Sequence, residues 1–214
     1  MKLIDMTVAD FSSEIDSNSP APGGGSVAAL ASDIGVGLSR MMAHLSFGKK
    51  KYESLDESIR VEFVNRFNQL GDIEHELLKL IDKDTESFNE FMKALKMPKD
   101  TDEQIQDRRS AIEDATLFSI EVPFKTAKLS LEALELVDYL IEYGNQNIIT
   151  DIGVGILMMY TGLEGAILNV KVNLKGINNT EINDTYDKQV KDILIRGKKI
   201  KEKLISEIHD KLEN

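Results

Sequence analysis

The sequence predicts an all-α fold, an up-and-down helical bundle with long, partly kinked helices, and three observations carry that expectation. Apolar residues recur at steps of three and four, no stretch alternates apolar and polar residues as a half-buried strand does, and 14 Gly and 4 Pro are all that punctuate 214 residues. At that length and 42% hydrophobic content, one domain over 1–214 can bury its own core.

Val8 to Asp16 reads as a short lead-in helix with Thr7 as N-cap and Asp10 three residues on. The chain breaks at Asn18-Ser19-Pro20-Ala21-Pro22-Gly23-Gly24-Gly25 and restarts near Ser26, a good N-cap, in a helix reaching Leu45. Ala28, Ala29, Ala31, Ser32, Gly35, Gly37 and Ala43 leave little side-chain volume, so a second helix can approach closely. After the basic turn Gly48-Lys49-Lys50-Lys51, a stripe from Phe63 through Leu70, Leu77, Ile81 and Phe88 to Leu95 implies one helix of about forty residues. A loop at 96–100 leads to a fourth helix, Asp102 to Tyr143, which Pro123 should kink. Gly144-Asn145 is a plausible stop, and Asn147 or Thr150 could cap a fifth helix, apolar nearly all round, that runs to Leu174. Beyond a polar hinge at 178–184, Val190, Ile193, Gly197, Ile200, Leu204 and Ile208 mark a terminal helix over 185–213. It is either an arm docking on a partner or part of its own bundle.

The chain has no Cys, which excludes disulfides, thiolate catalysis and cysteine zinc sites. A net charge of -11 argues against unspecific binding to nucleic acid or an anionic membrane, both of which need cationic surface. The two most apolar segments contain Asp33, Arg40, Asp151, Glu164 and Lys171, so they read as core helices and not as spans. The first residues lack a signal peptide's apolar stretch, and the expected location is cytoplasmic.

Few residues stand out as chemical candidates. Gly23, Gly24 and Gly25, behind Pro22 and ahead of Ser26, present bare backbone N–H groups to a ligand, or simply let the chain enter a crowded bundle. The glycine turn is not a Walker loop, because no Lys follows its last glycine. Asp84 shares its helix face with Leu77, Ile81, Phe88 and Phe91, where an unpaired carboxylate is costly and is therefore paired, protonated or set on a polar cavity. Asp82 lies about 160° away on the same helix and shares its side with Glu86. Asp151 and Glu164 are the carboxylates of the fifth helix, about 20 Å apart along its axis, so they cannot serve one small site together. Asp151 alternatively steadies the helix N-terminus through the dipole. Glu164, with Asn169 and Asn173, brings polar groups to an apolar segment and suggests an interface network or a cavity. Lys49, Lys50, Lys51 and Arg60 form the densest positive cluster, either a solvated loop or a dock for a carboxylate-bearing ligand. Of the three His residues none forms a pair or an HExxH motif, so no metal is expected.

Several blocks in order carry a resemblance: PAPGGGSVAALA from Pro20, FGKKKY from Phe47, LIDKDTESF from Leu80, MPK from Met97, RRSAI from Arg108, EVP from Glu121, GNQNIITDIGVG from Gly144 and LEGAILNVKVN from Leu163. Over residues 1–185 the chain resembles the cyclodeaminase/cyclohydrolase family, which comprises the cyclodeaminase half of formiminotransferase-cyclodeaminase and its stand-alone relatives. The resemblance implies a helical bundle that forms a homodimer and processes a one-carbon unit bridging the N5 and N10 nitrogens of tetrahydrofolate, including polyglutamylated forms. It implies formiminotetrahydrofolate cyclodeaminase first, with methenyltetrahydrofolate cyclohydrolase close behind and a non-catalytic folate-binding dimer as a third reading. Neither reaction calls for a metal or a redox cofactor. By the same resemblance Asp84 or Asp82, with Asp151, would carry the proton. Pro22 to Ser26 would line the pterin site, Asn145 and Asp151 would approach it from the fifth helix, Lys49 or Lys50 would hold the glutamate tail, and Glu164 and Asn169 would join the binding positions. Thr85, Thr150 and Gly155 depart mildly from the family pattern, which has Ala, Ser and Ala there.

Overall fold

The Asp10 amide donates to the Thr7 hydroxyl at 3.1 Å, and the chain turns helical at once as α1 (Val8–Ile15). The computed structural model describes residues 2–213. In it α1 is followed by α2 (Gly24–His44), α3 (Lys50–Glu53), α4 (Glu57–Leu95), α5 (Asp102–Leu136), α6 (Asp138–Tyr143), α7 (Ile149–Leu174) and α8 (Thr180–Glu213). Short 3-10 turns at Leu3–Asp5 and Gln146–Ile148 precede α1 and α7, and no strand occurs among the described residues.

The centre of the bundle is the α2–α7 pair, flanked by α4 beside α2 and by α5 and α8 against α7. Glycine sets its spacing. A Cβ on Gly35 would lie 2.5 Å from the Gly155 carbonyl oxygen, and one on Gly162 would lie 2.0 Å from Ser32 Oγ and 2.4 Å from the Ala28 carbonyl oxygen. Positions on α2 fall as those on α7 rise, from Gly35 against Gly155 to Gly24 near Asn169, so the two helices are antiparallel. The small-residue stripe therefore does a packing job along most of α2.

Four expectations shift. The first turn of α2 starts at Gly24 with Gly23 as N-cap, and Ser26 is buried inside that turn instead of capping it. The fourth predicted helix divides at Val137, where the freed Leu136 carbonyl accepts from Arg66 Nη1 at 3.3 Å and Asp138 accepts from the same nitrogen at 2.5 Å. Helix α5 continues through Pro123, as the sequence reading has it. Asn145 accepts from the Asn147 amide at 3.2 Å in the turn ahead of α7, so neither Asn147 nor Thr150 caps that helix. Most of the polar hinge is already helical, and α8 lies along α7 and α5 with Val190, Ile193, Leu204 and Ile208 buried. Leu163 fills the space where Gly197 lacks a side chain, which seats α8 on its own bundle.

Candidate functional site

Where α2 begins and α7 ends, a cavity of about 460 Å³ opens between α2, α4, α5 and α7. The glycine turn supplies one wall through Pro20, Ala21 and Gly23 to Gly25. Asp84, Thr85, Ser87, Phe88 and Phe91 come from α4, Thr116 and Ser119 from α5, and Asn169, Val172 and Asn173 from α7. Asp84 is the single ionisable side chain among them.

Asp84 reaches the cavity because α4 carries it on the buried stripe, and the first turn of α2 meets it there. The Ser26 amide donates to Asp84 Oδ2 at 2.8 Å, and the Ser26 hydroxyl stands 3.1 Å from the same oxygen and 2.9 Å from the Ile81 carbonyl. Gly25 is the condition for this approach, since a Cβ there would lie 2.0 Å from Asp84 Oδ1. Burial pushes the carboxyl above its ordinary value, and the two Ser26 hydrogen bonds pull it partly back. The single hydroxyl proton can go to the Ile81 carbonyl or to the ionised Asp84; in the first case the hydroxyl can accept from a protonated Asp84, while the amide stabilises the ionised form. The site thus accommodates both states of the acid.

Pro123 contributes through what it lacks. Having no N–H, it leaves the Ser119 carbonyl one turn earlier without its helical donor, and Asn173 Nδ2 donates to that carbonyl at 2.6 Å. This bond ties α7 to α5 across the cavity floor. Asn169 donates to the Gly165 carbonyl at 2.9 Å, and its amide lies 3.4 Å from where a Gly24 Cβ would be.

The remaining candidates lie elsewhere. Asp82 Oδ1 accepts from the Leu3 amide at 2.6 Å, which pins the N-terminal turn to α4, and Asp82 borders a separate surface hollow. Lys49 and Asn145 line a second cavity of about 300 Å³ with Lys51, Tyr52 and Gln146. Asn145 Nδ2 donates to the Leu45 carbonyl, at the far end of α2, about 30 Å from the glycine turn along a 21-residue helix. The cause is antiparallel packing, which puts the start of α7, with Asn145 and Asp151, at the opposite end from the start of α2. Lys50 begins α3 and lines neither cavity. Pro22 is buried behind the turn. Glu164 is exposed on α7 beside Tyr160, whose hydroxyl burial and then Glu164 push up to about 12. Sequence reasoning missed Ser87, Thr116 and Ser119; only the proline four residues after Ser119 signalled an available carbonyl.

A larger groove of about 770 Å³ between α5 and α8 is a weaker candidate. Its Arg196 already pairs with Glu135 at 2.5 Å and Asp192 at 3.4 Å, so its charges satisfy one another.

Fold and cavity define an all-α protein with one half-buried carboxyl in a polar and aromatic pocket of small-molecule size. The chain belongs to the formiminotransferase-cyclodeaminase family, whose model matches residues 7–192. It is 30% identical over 206 residues to methenyltetrahydrofolate cyclohydrolase of Methylorubrum extorquens, covering 96% of this chain and 97% of that one. It is 31% identical to formimidoyltransferase-cyclodeaminase of Gallus gallus, with 92% of this chain covered but only 36% of that protein. The chain therefore spans about a third of the bifunctional relatives it matches. A crystal structure of formiminotetrahydrofolate cyclodeaminase from Thermotoga maritima superposes with a TM-score of 0.77 at 22% identity, over 98% of this chain and 96% of that one, which establishes the shared fold.

Proposed function

We propose that the Asp84 cavity binds a tetrahydrofolate carrying a one-carbon unit on N5, and that Asp84 moves the proton when the N5–N10 bridge is made or opened. The observation that carries this is a single carboxyl, hydrogen-bonded by Ser26, in the wall of a cavity with Phe88 and Phe91 to take flat rings. Side-chain-free Gly23 and Gly24 give the substrate a backbone surface to lie against.

In the cyclodeaminase direction the formimino group enters protonated, and N10 attacks its carbon. Asp84 takes the proton that N10 sheds and passes it to the departing nitrogen; the C–N bond breaks, ammonia leaves and the cationic methenyl bridge remains. A carboxyl raised by burial is suited to both halves of that transfer. The second reading, cyclohydrolase, is favoured by the match along nearly the whole length of a stand-alone enzyme of that name. There Asp84 takes a proton from the water that attacks the methenyl carbon and returns it to N5 as the C–N5 bond breaks, while the hydroxyl proton of the adduct is lost to solvent, leaving 10-formyltetrahydrofolate.

Purified protein is given 5-formimino- and 5,10-methenyltetrahydrofolate separately, following methenyl absorbance and ammonia release. Ammonia release with rising methenyl absorbance selects the first reading, and loss of methenyl absorbance above the buffer rate selects the second. Turnover of neither substrate, or an Asp84→Asn variant as fast as the parent, overturns the proposal.

A further inference from the structure

The two oxygens of Asp84 have different surroundings. Oδ2 accepts from the Ser26 amide at 2.8 Å and lies 3.1 Å from the Ser26 hydroxyl. Oδ1 lies against the side-chain-free backbone of Gly25, 2.0 Å from where a Cβ would stand. Behind Oδ2 the hydroxyls continue, with Ser26 Oγ 3.4 Å from Thr85 Oγ1, at the long end of hydrogen-bond range. Ser26 is fully buried and Thr85 half-buried. Of the residues that border the Asp84 cavity, Thr85 alone also borders the hollow of about 570 Å³ on the outer side of α4, where Asp82, Glu86 and Glu90 stand with Lys93 and Lys96. Thr85 is thus the partition between the half-buried carboxyl and a charged, solvent-facing surface.

We infer that Ser26 and Thr85 form a two-hydroxyl relay that carries a proton between Asp84 and the outer hollow while a folate fills the cavity. The inference rests on the reading of Asp84 as the proton carrier, and it supplies what opening of the methenyl bridge requires. A cationic methenyl bridge and water give a neutral formyl group, so one proton leaves the site in every turnover. A ligand that buries roughly 70–90% of its surface in a pocket of this size stands between Asp84 and the mouth, so the proton needs another way out. Around Asp84 the walls from α2, α5 and α7 offer backbone, hydroxyl, amide and apolar groups, and no second titratable side chain to take it.

The proton balance closes along this path. Asp84 takes the hydroxyl proton of the adduct on Oδ1, and a half-turn about its Cβ–Cγ bond presents that proton to Ser26. Ser26 Oγ accepts it and gives its own proton to Thr85 Oγ1, and Thr85 gives its own to water in the hollow, beside Asp82 and Glu86. Each hydroxyl ends with one proton, as it began, and one proton has crossed α4. At rest the Ser26 proton has the Ile81 carbonyl at 2.9 Å, so a swing of the hydroxyl toward Thr85 opens the path. While the proton stays on Asp84 the formyl group can re-close the bridge, and its departure commits the turnover. Thr85 is therefore a positioning residue that acts through Asp84.

Replacements at Thr85 separate a relay from a packing role. Thr85→Ser keeps the hydroxyl, Thr85→Ala leaves a gap that a water can fill between Ser26 and the hollow, and Thr85→Val keeps the volume and closes the path with a methyl. Single turnovers of 5,10-methenyltetrahydrofolate are followed by stopped flow with a pH-indicator dye in weak buffer. Proton release should keep pace with the loss of methenyl absorbance in the parent and in Thr85→Ser, and should lag in Thr85→Val until product leaves. Positioned proton transfer contributes about 10²–10⁴-fold and only its reset is lost here, so steady-state kcat should fall about tenfold in Thr85→Val with KM unchanged. The fall should be smaller in Thr85→Ala, and Thr85→Ser should recover the rate. A packing role gives the reverse order, because emptying a site costs more than refilling it with a side chain of the same shape. Proton release in step with absorbance in Thr85→Val, or Thr85→Ala slower than Thr85→Val, overturns the relay, as does a parent that cyclises 5-formiminotetrahydrofolate but never opens the methenyl bridge. A parent that turns over neither folate, or an Asp84→Asn variant as fast as the parent, instead overturns the reading of Asp84 on which the relay rests.

Discussion

Alanine placed in turn at Gly23, Gly24 and Gly25 should give three different outcomes, although the residues are consecutive and chemically identical. At Gly23 the nearest atom to a new Cβ is the Pro20 carbonyl oxygen at 4.0 Å, and at Gly24 it is Asn169 Nδ2 at 3.4 Å, both ordinary contacts. At Gly25 it is Asp84 Oδ1 at 2.0 Å, so the carboxylate or the first turn of α2 must retreat by about 1.4 Å. Overpacking of that kind costs about 1–3 kcal/mol, and loosening hydrogen bonds to a charged acceptor adds about 1.5–3 kcal/mol. The better helix propensity of alanine returns less than about 1 kcal/mol at a helix start, which leaves Gly25→Ala roughly 2 kcal/mol less stable at the low end. A displacement near 1 Å at the proton carrier should lower kcat/KM about 100-fold. Urea unfolding followed by helical ellipticity, with turnover on whichever folate the parent accepts, measures both effects. Wild-type stability and turnover in Gly25→Ala would refute the close approach, and an equal loss in all three variants would show that the turn is needed only for chain entry.

Other predictions concern single, measurable contacts. Asp33 on α2 has a buried oxygen with no hydrogen-bond partner among the described residues, and burial, then the nearby Glu74, push its carboxyl from 3.8 to about 7. A carboxyl raised on folding favours the fold at low pH, and that contribution disappears as pH rises through 7. The full shift corresponds to about 4 kcal/mol, and screening of this partly exposed group brings it nearer 2 kcal/mol. Asp33→Asn should therefore gain about 2 kcal/mol on the parent at pH 8 and nothing at pH 4, while parallel stability profiles for the two proteins would sink this account. Gly162→Ala should cost about 3 kcal/mol in thermal or urea unfolding, because even if the Ser32 hydroxyl at 2.0 Å swings away, its Cβ would still meet the Ala28 carbonyl oxygen at 2.4 Å, which is backbone. Asp82→Asn should weaken the Leu3 anchor by about 1 kcal/mol, seen as faster amide exchange at the N-terminal turn.

The all-helical class, the long amphipathic α4, the apolar α7 and the position of Asp84 on a buried stripe were legible in one dimension, because helical periodicity projects each side chain onto a face before any partner is known. The need for a break after Ser17 was legible too, since prolines and glycines restrict or free the chain locally. Local rules misplaced the start of α2, which tertiary contact decided: Ser26 looks like a cap, yet its amide and hydroxyl are engaged by a carboxylate 58 residues away. The division near Val137 likewise rests on Arg66, which donates from α4 to the loosened carbonyl. Composition could not decide which polar residues share a cavity, since that depends on helix direction. Antiparallel packing of α2 on α7 put Asn169 and Asn173 beside the glycine turn and carried Asn145, Lys49 and Asp151 to the other end. Periodicity determines which face a residue occupies, and only the packing of one helix on another determines which end of the molecule that face reaches.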